Sequence, residues 1–313
     1  MYDVGPLFTP LQVKGKTLSN RIVLPPMVVN YGLATSGGRA WYGRRAAGGV
    51  GLVIVEATDV VIFGSQLTAE NLRPLVDAIH AGGALAAIQL FPGVRGEEIS
   101  PAGLSKDDIR NLLVRYRASA EICTRAGFDG IEPHGAHGFL LNQFFSPEEN
   151  KRTDEYGGAL AGRMRLALEI MEAIRPAAER AGMLLLYRHT PVGPGYGIPE
   201  SLALAAELVK AGLDILDISP ASHIAPADRA APFMALGVPV IAVNEMDRLP
   251  RALEALRQKR ASLIAVGRGL IADPDWPIKV RDGRLDEIQV CTGCDECFAY
   301  LDRGEGVRCA EWS

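Results

Sequence analysis

No stretch of this chain stays apolar for the ~18 residues that a membrane-spanning helix needs. The opening residues, MYDVGPLFTPL, carry no basic segment ahead of an apolar core, so no secretory leader is expected. No run of lysine and arginine marks a phosphate-backbone footprint. With a net charge of −4, a nucleic-acid partner is not expected. No G-x-G-x-x-G turn follows an early strand-like run. The nearest match, Gly193-Pro-Gly195-Tyr-Gly197, comes late and lacks that form, which removes the main signature of a doubly wound dinucleotide fold. There is no Ser- or Pro-rich linker either. These absences leave a cytoplasmic globular protein with no membrane contact as the expectation, and 313 residues are enough to bury a large core without staples.

Cysteine is scarce, with five in the chain, yet four of them crowd together as Cys291, Cys294, Cys297 and Cys309 in the pattern C-x2-C-x2-C-x11-C. Thiols this close, in a chain without export signals, point to a metal rather than to disulfides. Four thiolates can ligate a 4Fe–4S cluster or a single tetrahedral zinc, and they can also remain unligated. The pattern is not the bacterial ferredoxin run, because no cysteine follows three residues after Cys297. The fifth, Cys123, reads as a small buried apolar residue.

Short apolar, β-branched runs alternate with amphipathic stretches of helical length. Strands are expected at 22–27, 51–55, 85–90, 130–132, 184–188, 215–218, 240–243 and 263–266. Each is nearly all apolar, as strands covered on both faces should be. Helices are expected at 106–126, 160–181, 201–211 and 249–258, among others. Three end in a small residue followed by glycine, at Ala126-Gly127, Ala181-Gly182 and Ala211-Gly212. The alternation predicts an α/β chain folded as a (β/α)8 TIM barrel over residues 1–272. Residues 273–313 would form a short cysteine-rich extension.

Chemistry in such a barrel gathers at the C-terminal ends of the strands. Gln89 ends the third expected strand, His134 and His137 follow the fourth, Arg188 ends the fifth, Asn244 follows the seventh, and Gly267-Arg268-Gly269 follows the eighth. Two neutral imidazoles three residues apart could donate N–H groups to a substrate oxygen that gains negative charge. Packed histidines and a metal pair are the alternatives, and the metal pair lacks a third ligand. Arg188 closes an apolar strand, where a cation needs an electron-rich partner, and Glu56 or Glu132 could pair with it. Gln89 offers both a donor and an acceptor, to a ligand or to the core. Gly267-Arg268-Gly269 has the form of a phosphate grip, or of a turn with a surface arginine. Met27, beside Pro25-Pro26, reads on its own as core.

With these residues in place, the chain resembles the Old Yellow Enzyme family of FMN-dependent oxidoreductases. It is most similar to the flavin barrel of that family's iron–sulfur branch, the 2,4-dienoyl-CoA reductase and trimethylamine dehydrogenase group. The matching stretches are LFTPLQVKGKTLSNRIVLPPM, GGVGLVIVEATDV, IQL, NQFFSPEENKRTDEYGGALAGR, AGLDILDIS and GRGLIADPDWP, together with CTGCDEC…C. The resemblance implies FMN in the barrel mouth, with Pro26, Met27 and Ala57 against its ring and Gln89 on its pyrimidine edge. It places Arg188 where the reduced ring gathers negative charge, and Asn244, Gly267 and Arg268 at the phosphate. His134 and His137 would hold the substrate, and the four clustered cysteines would hold the 4Fe–4S cluster.

The departures from the family pattern carry information of their own. The family's usual proton-donating tyrosine, two residues after the second histidine, is here Phe139, so Tyr31 or Tyr196 would have to act instead. The loop FPGVRGEEISPAG is short and has Pro92 where a histidine is usual, which suggests a wide mouth or one covered by a partner chain. The chain stops four residues after Cys309, without the FAD- and NAD(P)H-binding domains of the branch's long members. The expected function is therefore an FMN and iron–sulfur oxidoreductase acting on a small carbonyl-conjugated, enoyl-thioester or amine substrate. It would exchange electrons with a partner protein or NAD(P)H and would self-associate. A flavin isomerase that lends and regains hydride is the alternative, and an electron-transfer subunit with a vestigial site is the third reading.

Overall fold

The computed structural model describes residues 2–93, 99–221 and 227–312. Eight parallel strands close into a barrel: β3 (Ile22–Leu24), β4 (Leu52–Asp59), β5 (Leu85–Phe91), β6 (Gly130–Gly135), β7 (Leu184–His189), β8 (Ile215–Ile218), β9 (Val240–Ala242) and β10 (Leu263–Ala265), with β10 pairing back to β3. All eight expected strands are present, within a few residues of their expected ends. Between the strands run α1 (Ser36–Ala47), α2 (Ala69–Ala81), α3 (Lys106–Ala126), α4 (Leu140–Phe145), α5 (Leu160–Ala181), α6 (Ile198–Lys210) and α7 (Leu249–Arg257). The chain ends with α8 (Arg268–Ala272), α9 (Trp276–Arg281) and α10 (Glu296–Asp302). Among the described residues, no helix is long and apolar enough to cross a membrane.

Local chemistry sets the helix limits. Ser105 and Asp108 form a reciprocal cap at the start of α3, and Gly127 ends that helix at φ 96. The α6 helix begins three residues earlier than expected. Pro199 fits the first turn, where no backbone donor is needed, and Glu200 accepts from the Gly197 N–H.

One element was not foreseen. A hairpin of β1 (Leu11–Val13) and β2 (Lys16–Leu18) closes the N-terminal end of the barrel. Its signal was local, since Lys14-Gly15 both take positive φ, as a two-residue hairpin turn requires. Val13 and Leu18 pack with the inward-facing Val23, Leu52, Ile54, Leu186 and Ile241. Salt bridges at 2.8 Å from Lys16 to Asp129 and at 3.0 Å from Lys14 to Asp214 pin the hairpin to the strand starts.

Strand alternation turns this apolar interior into a polar mouth. Ala87, Leu186 and Ile215 face inward, so the residues two further along, Gln89, Arg188 and Asp217, face inward as well. On β6 the inward series is Gly130, Glu132 and His134. The first position is crowded: a Cβ there would lie 2.8 Å from Leu186 Cδ1 and 3.3 Å from Ala87 Cβ, so Leu186 would have to shift.

Candidate active site at the barrel mouth

Four adjacent strands each contribute one buried polar residue near the mouth, with Arg188 in register with His134 rather than Glu132 on its β6 side. Gln89 on β5 is in register with Glu132 on β6, and Arg188 on β7 is in register with Asp217 on β8. All four are at most 5% exposed. Gln89 Nε2 donates to Glu132 Oε1 at 2.8 Å. Arg188 Nε lies 3.2 Å from Asp217 Oδ2, near enough for ion pairing but not aligned as a hydrogen bond. Of the expected partners of Arg188, Glu132 is near enough to feel its charge but forms no ion pair with it, Glu56 forms none either, and Asp217 takes that place. Asp217 had the same signal as Arg188, a lone charge inside the apolar run Ile215-Leu-Asp-Ile218. Burial, together with the charge of Asp217, raises the Glu132 pKa well above the usual carboxylate range, and burial raises that of Asp217 too. One guanidinium between two buried carboxylates leaves an excess negative charge, so holding a proton is cheaper than ionising both acids.

The guanidinium is fixed on two further sides. Nη1 donates to the Pro26 carbonyl at 3.2 Å, and Nη2 donates to Ser219 Oγ at 2.9 Å. Ser219 Oγ also lies 2.8 Å from His137 Nε2, and the His137 N–H donates to Thr190 Oγ1. His137 and Gly138 both have positive φ, a sharp turn that a non-glycine residue adopts only under constraint. That turn places the two imidazole rings 5.3 Å apart, edge to face. His134 is 3% exposed and its Nδ1 has no partner. Burial, then His137 and Arg188, push its pKa well down, so the ring is neutral. Ser219 and Thr190 carry no sequence signal of their own, because hydroxyl residues at strand ends are common.

Phe139 occupies the donor position. Its ring lies 5.1 Å from His134 and 5.6 Å from Phe91. Neither tyrosine named as a replacement acid is unengaged. Tyr31 donates to the Val307 carbonyl at 2.9 Å and Tyr196 to the Thr190 carbonyl at 3.0 Å. Burial also raises Tyr196 to about 12. Phe91 forms one wall of a cleft of about 460 Å³ at the end of β4, where Ala57, Leu33, Ile62 and Glu56 also face. Glu56 accepts from the backbone of Val29 and Asn30, and burial raises its pKa to about 7. The short loop after β5 was expected to widen the mouth, but residues 94–98 lie outside the described residues.

On the far side, Met27 faces Gly267, where a Cβ would meet Met27 Sδ at 3.3 Å. Asn244 sits in the left-handed region at the end of β9. Arg268 is paired with Asp295 at 2.7 Å, a residue that lies between Cys294 and Cys297. The expected ring, edge and phosphate residues lie at or just beyond the C-terminal ends of the barrel strands, and Arg268 links that end to the cysteine extension. The extension is docked tightly. Val307 is 1% exposed and its N–H donates to the Val29 carbonyl at 2.9 Å. A side chain at Gly306 would collide with the Tyr31 ring.

All four clustered cysteines are free thiols, and Cys294 is exposed. Cys309 is close enough to feel Cys291 and Cys294, and Cys297 to feel Cys291. Among the described residues, no three His, Cys, Asp or Glu side chains are arranged to hold a metal. Cys123 is fully buried and burial raises its pKa, which leaves it inert.

The match to known proteins spans nearly the whole barrel. Residues 6–100 and 93–287 fit the profile of the NADH:flavin oxidoreductase / NADH oxidase family. A NADPH dehydrogenase of Clostridium acetobutylicum is 33% identical over 91% of this chain and 96% of its own length. A NADH oxidase of Thermoanaerobacter brockii is 31% identical over 92% of this chain, which spans 52% of that protein. The structure of histamine dehydrogenase from Rhizobium sp. 4-9 matches with a TM-score of 0.85 at 27% identity, covering 98% of this chain and 52% of that one. This chain thus spans about half the length of those two larger proteins. On the profile match and these identities, the chain belongs to the NADH:flavin oxidoreductase / NADH oxidase family, the Old Yellow Enzyme type of FMN-dependent oxidoreductase.

Proposed function

We propose that this barrel binds FMN in its mouth and reduces or oxidises a small carbonyl-conjugated, enoyl-thioester or amine substrate. We further propose that it exchanges electrons with a partner protein through a 4Fe–4S cluster on Cys291, Cys294, Cys297 and Cys309, or takes them as hydride from NAD(P)H directly at the flavin. The observation that carries the flavin half is the inward-facing layer of Gln89, Glu132, Arg188 and Asp217 beneath the His134–His137 pair. These residues fit a flavin. Gln89 can meet the polar edge of the ring, and a buried guanidinium suits a ring that becomes anionic. An imidazole nitrogen without a partner, His134 Nδ1, remains for a substrate oxygen. When bound, FMN supplies hydride chemistry and can release electrons singly. Asp217, Ser219 and the Pro26 carbonyl hold Arg188 in one orientation. Neutral His134 and Ser219-anchored His137 offer hydrogen bonds to an oxygen that gains charge, with no reorganisation needed at that moment. Asn244, Gly267 and Arg268 would take the phosphate, and Arg268 would exchange part of its bond to Asp295 for it.

The cluster half rests on the cysteine spacing. Anaerobic purification tests both halves. The expected result is a flavin spectrum with iron and acid-labile sulfide at four atoms each per chain. A bleachable flavin without iron or sulfide would remove the cluster and leave the flavin.

A second reading has a specific observation behind it. Phe139 offers no proton, and the hydroxyls of Tyr31 and Tyr196 are bonded to backbone carbonyls. An isomerase that returns its hydride needs no such donor. Product formation without net consumption of NAD(P)H would favour it.

A further inference from the structure

Gln89 can present either end of its amide to the mouth. A carbonyl oxygen accepts from a ring N–H, whereas an NH2 group placed there would face that N–H donor to donor. Sequence does not decide between them. In the structure, Gln89 Nε2 is committed to Glu132 Oε1 at 2.8 Å. The carbonyl oxygen, on the other side of the same planar group, is therefore turned away from Glu132. Glu132 itself is fully buried, in strand register with Gln89, and close enough to Arg188 and Asp217 to feel both charges. Its Oε2 has no partner, so one carboxyl oxygen is given wholly to the glutamine.

We propose that Glu132 is a positioning residue that sets the polarity of the Gln89 amide, so that the mouth offers an acceptor to the imide N–H of the flavin ring. Glu132 touches neither ring nor substrate and acts through Gln89. The role needs a carbonyl-type oxygen at that place and not a charge. A carboxylate can only accept there; a protonated acid with its proton on the unpartnered Oε2, or an amide turned carbonyl-first, still presents an acceptor to Gln89, while an apolar side chain of the same size does not. Ring systems that present an acceptor where the flavin presents its N–H are rejected by the same device.

The inference rests on the flavin reading above, and one experiment separates the two. The protein is loaded with 15N-labelled FMN, and the N3 resonance and the FMN dissociation constant are measured for wild type, Gln89→Leu, Glu132→Leu and Glu132→Gln. Glu132→Leu removes one of two carboxylates that share a guanidinium, so the barrel is expected to fold. Glu132→Met carries the same expectation should leucine disturb packing. The expected pattern is a hydrogen-bonded N3 resonance in wild type and Glu132→Gln. In Gln89→Leu and Glu132→Leu the resonance should move to the same new position, with FMN held about tenfold more weakly, the worth of one ligand hydrogen bond. A merely structural role for Glu132 would weaken binding without moving N3. If Glu132→Leu keeps the wild-type resonance while Gln89→Leu loses it, the inference is overturned and the flavin site stands. If Gln89→Leu leaves N3 unmoved, or wild type takes up no FMN, the inference fails together with the reading beneath it.

Discussion

At the mouth, Gln89, Glu132, Arg188 and Asp217 each come from a different strand, and none is more than 5% exposed. Three of the four clustered cysteines lie in irregular backbone and the fourth in the first turn of α10, all of them half-buried or exposed. The extension carrying them is nevertheless anchored, through Val307 against Val29 and Arg268 against Asp295. The protein thus builds one site by strand register and leaves the other as a tethered loop of thiols. A barrel can afford charges only where neighbouring strands supply opposite ones, as β8 does for Arg188 through Asp217. Thiols at the surface carry no such penalty and can wait for a metal to order them.

The strongest test of that contrast removes a partner from the barrel layer. Arg188→Leu leaves Asp217, which is fully buried, without its cation. The expected loss is about 3–5 kcal/mol in the unfolding free energy of flavin-free protein at pH 7, read from denaturant midpoints. The double substitution Arg188→Leu with Asp217→Leu should recover most of it. A loss below about 1 kcal/mol for the single change would mean that Asp217 is protonated, and that the layer is not held together by charge.

The next effect concerns chemistry on the same scaffold. Phe139→Tyr places a phenol beside His134, where the ring now lies at 5.1 Å. A positioned acid is worth about 100-fold or more, so alkene reduction should rise by at least that factor while FMN affinity stays within about twofold. No change in rate would show that proton delivery already comes from elsewhere, or that net reduction is not the reaction.

What the sequence disclosed follows the same division. Strand positions, the barrel and the strand-end placement of Gln89 and Arg188 were legible, because short apolar runs alternating with amphipathic helical stretches leave few alternatives. The partners were not. Glu56 and Glu132 were as plausible for Arg188 as Asp217, because distance across strands depends on register, which a single sequence does not print. The hairpin under the barrel was missed because its strands are three residues each, too short for alternation to register, although Lys14-Gly15 marks the turn. The αL turn at His137, which brings the imidazoles together, shows in the sequence only through the glycine that follows it.

Titration sharpens the comparison, since burial shifts groups in the barrel in opposing directions. His189 falls from its ordinary 6.5 to about 3, chiefly by desolvation, so the unfolded chain takes up a proton that the fold refuses and stability rises with pH up to about 6.5. Glu56 rises from 4.5 to about 7, again by desolvation, so the fold keeps a proton that the unfolded chain has lost, and stability falls as pH rises from 4.5 to 7. His134 adds to the first trend and Glu132 to the second. Glu56→Gln removes one opposing slope. Between about pH 4.5 and 6.5 the variant's stability should climb more steeply than wild type, by about 1.4 kcal/mol per pH unit. Equal slopes would place Glu56 in contact with water and near its ordinary value.

The smallest effect is expected where the thiols are. Cys291→Ser with Cys294→Ser alters one half-buried and one exposed side chain. In metal-free protein the unfolding free energy should therefore stay within about 0.5 kcal/mol of wild type. The same pair should abolish iron and sulfide uptake. In anaerobically purified protein it should remove whatever stability a cluster adds by binding only the folded state. The contrast between the two measurements is the informative quantity. If the metal-free variant is itself destabilised by several kcal/mol, the cysteine loop is packed as firmly as the barrel layer. It would then be a structural part of the fold, and the picture of a tethered loop awaiting a metal would have to be given up.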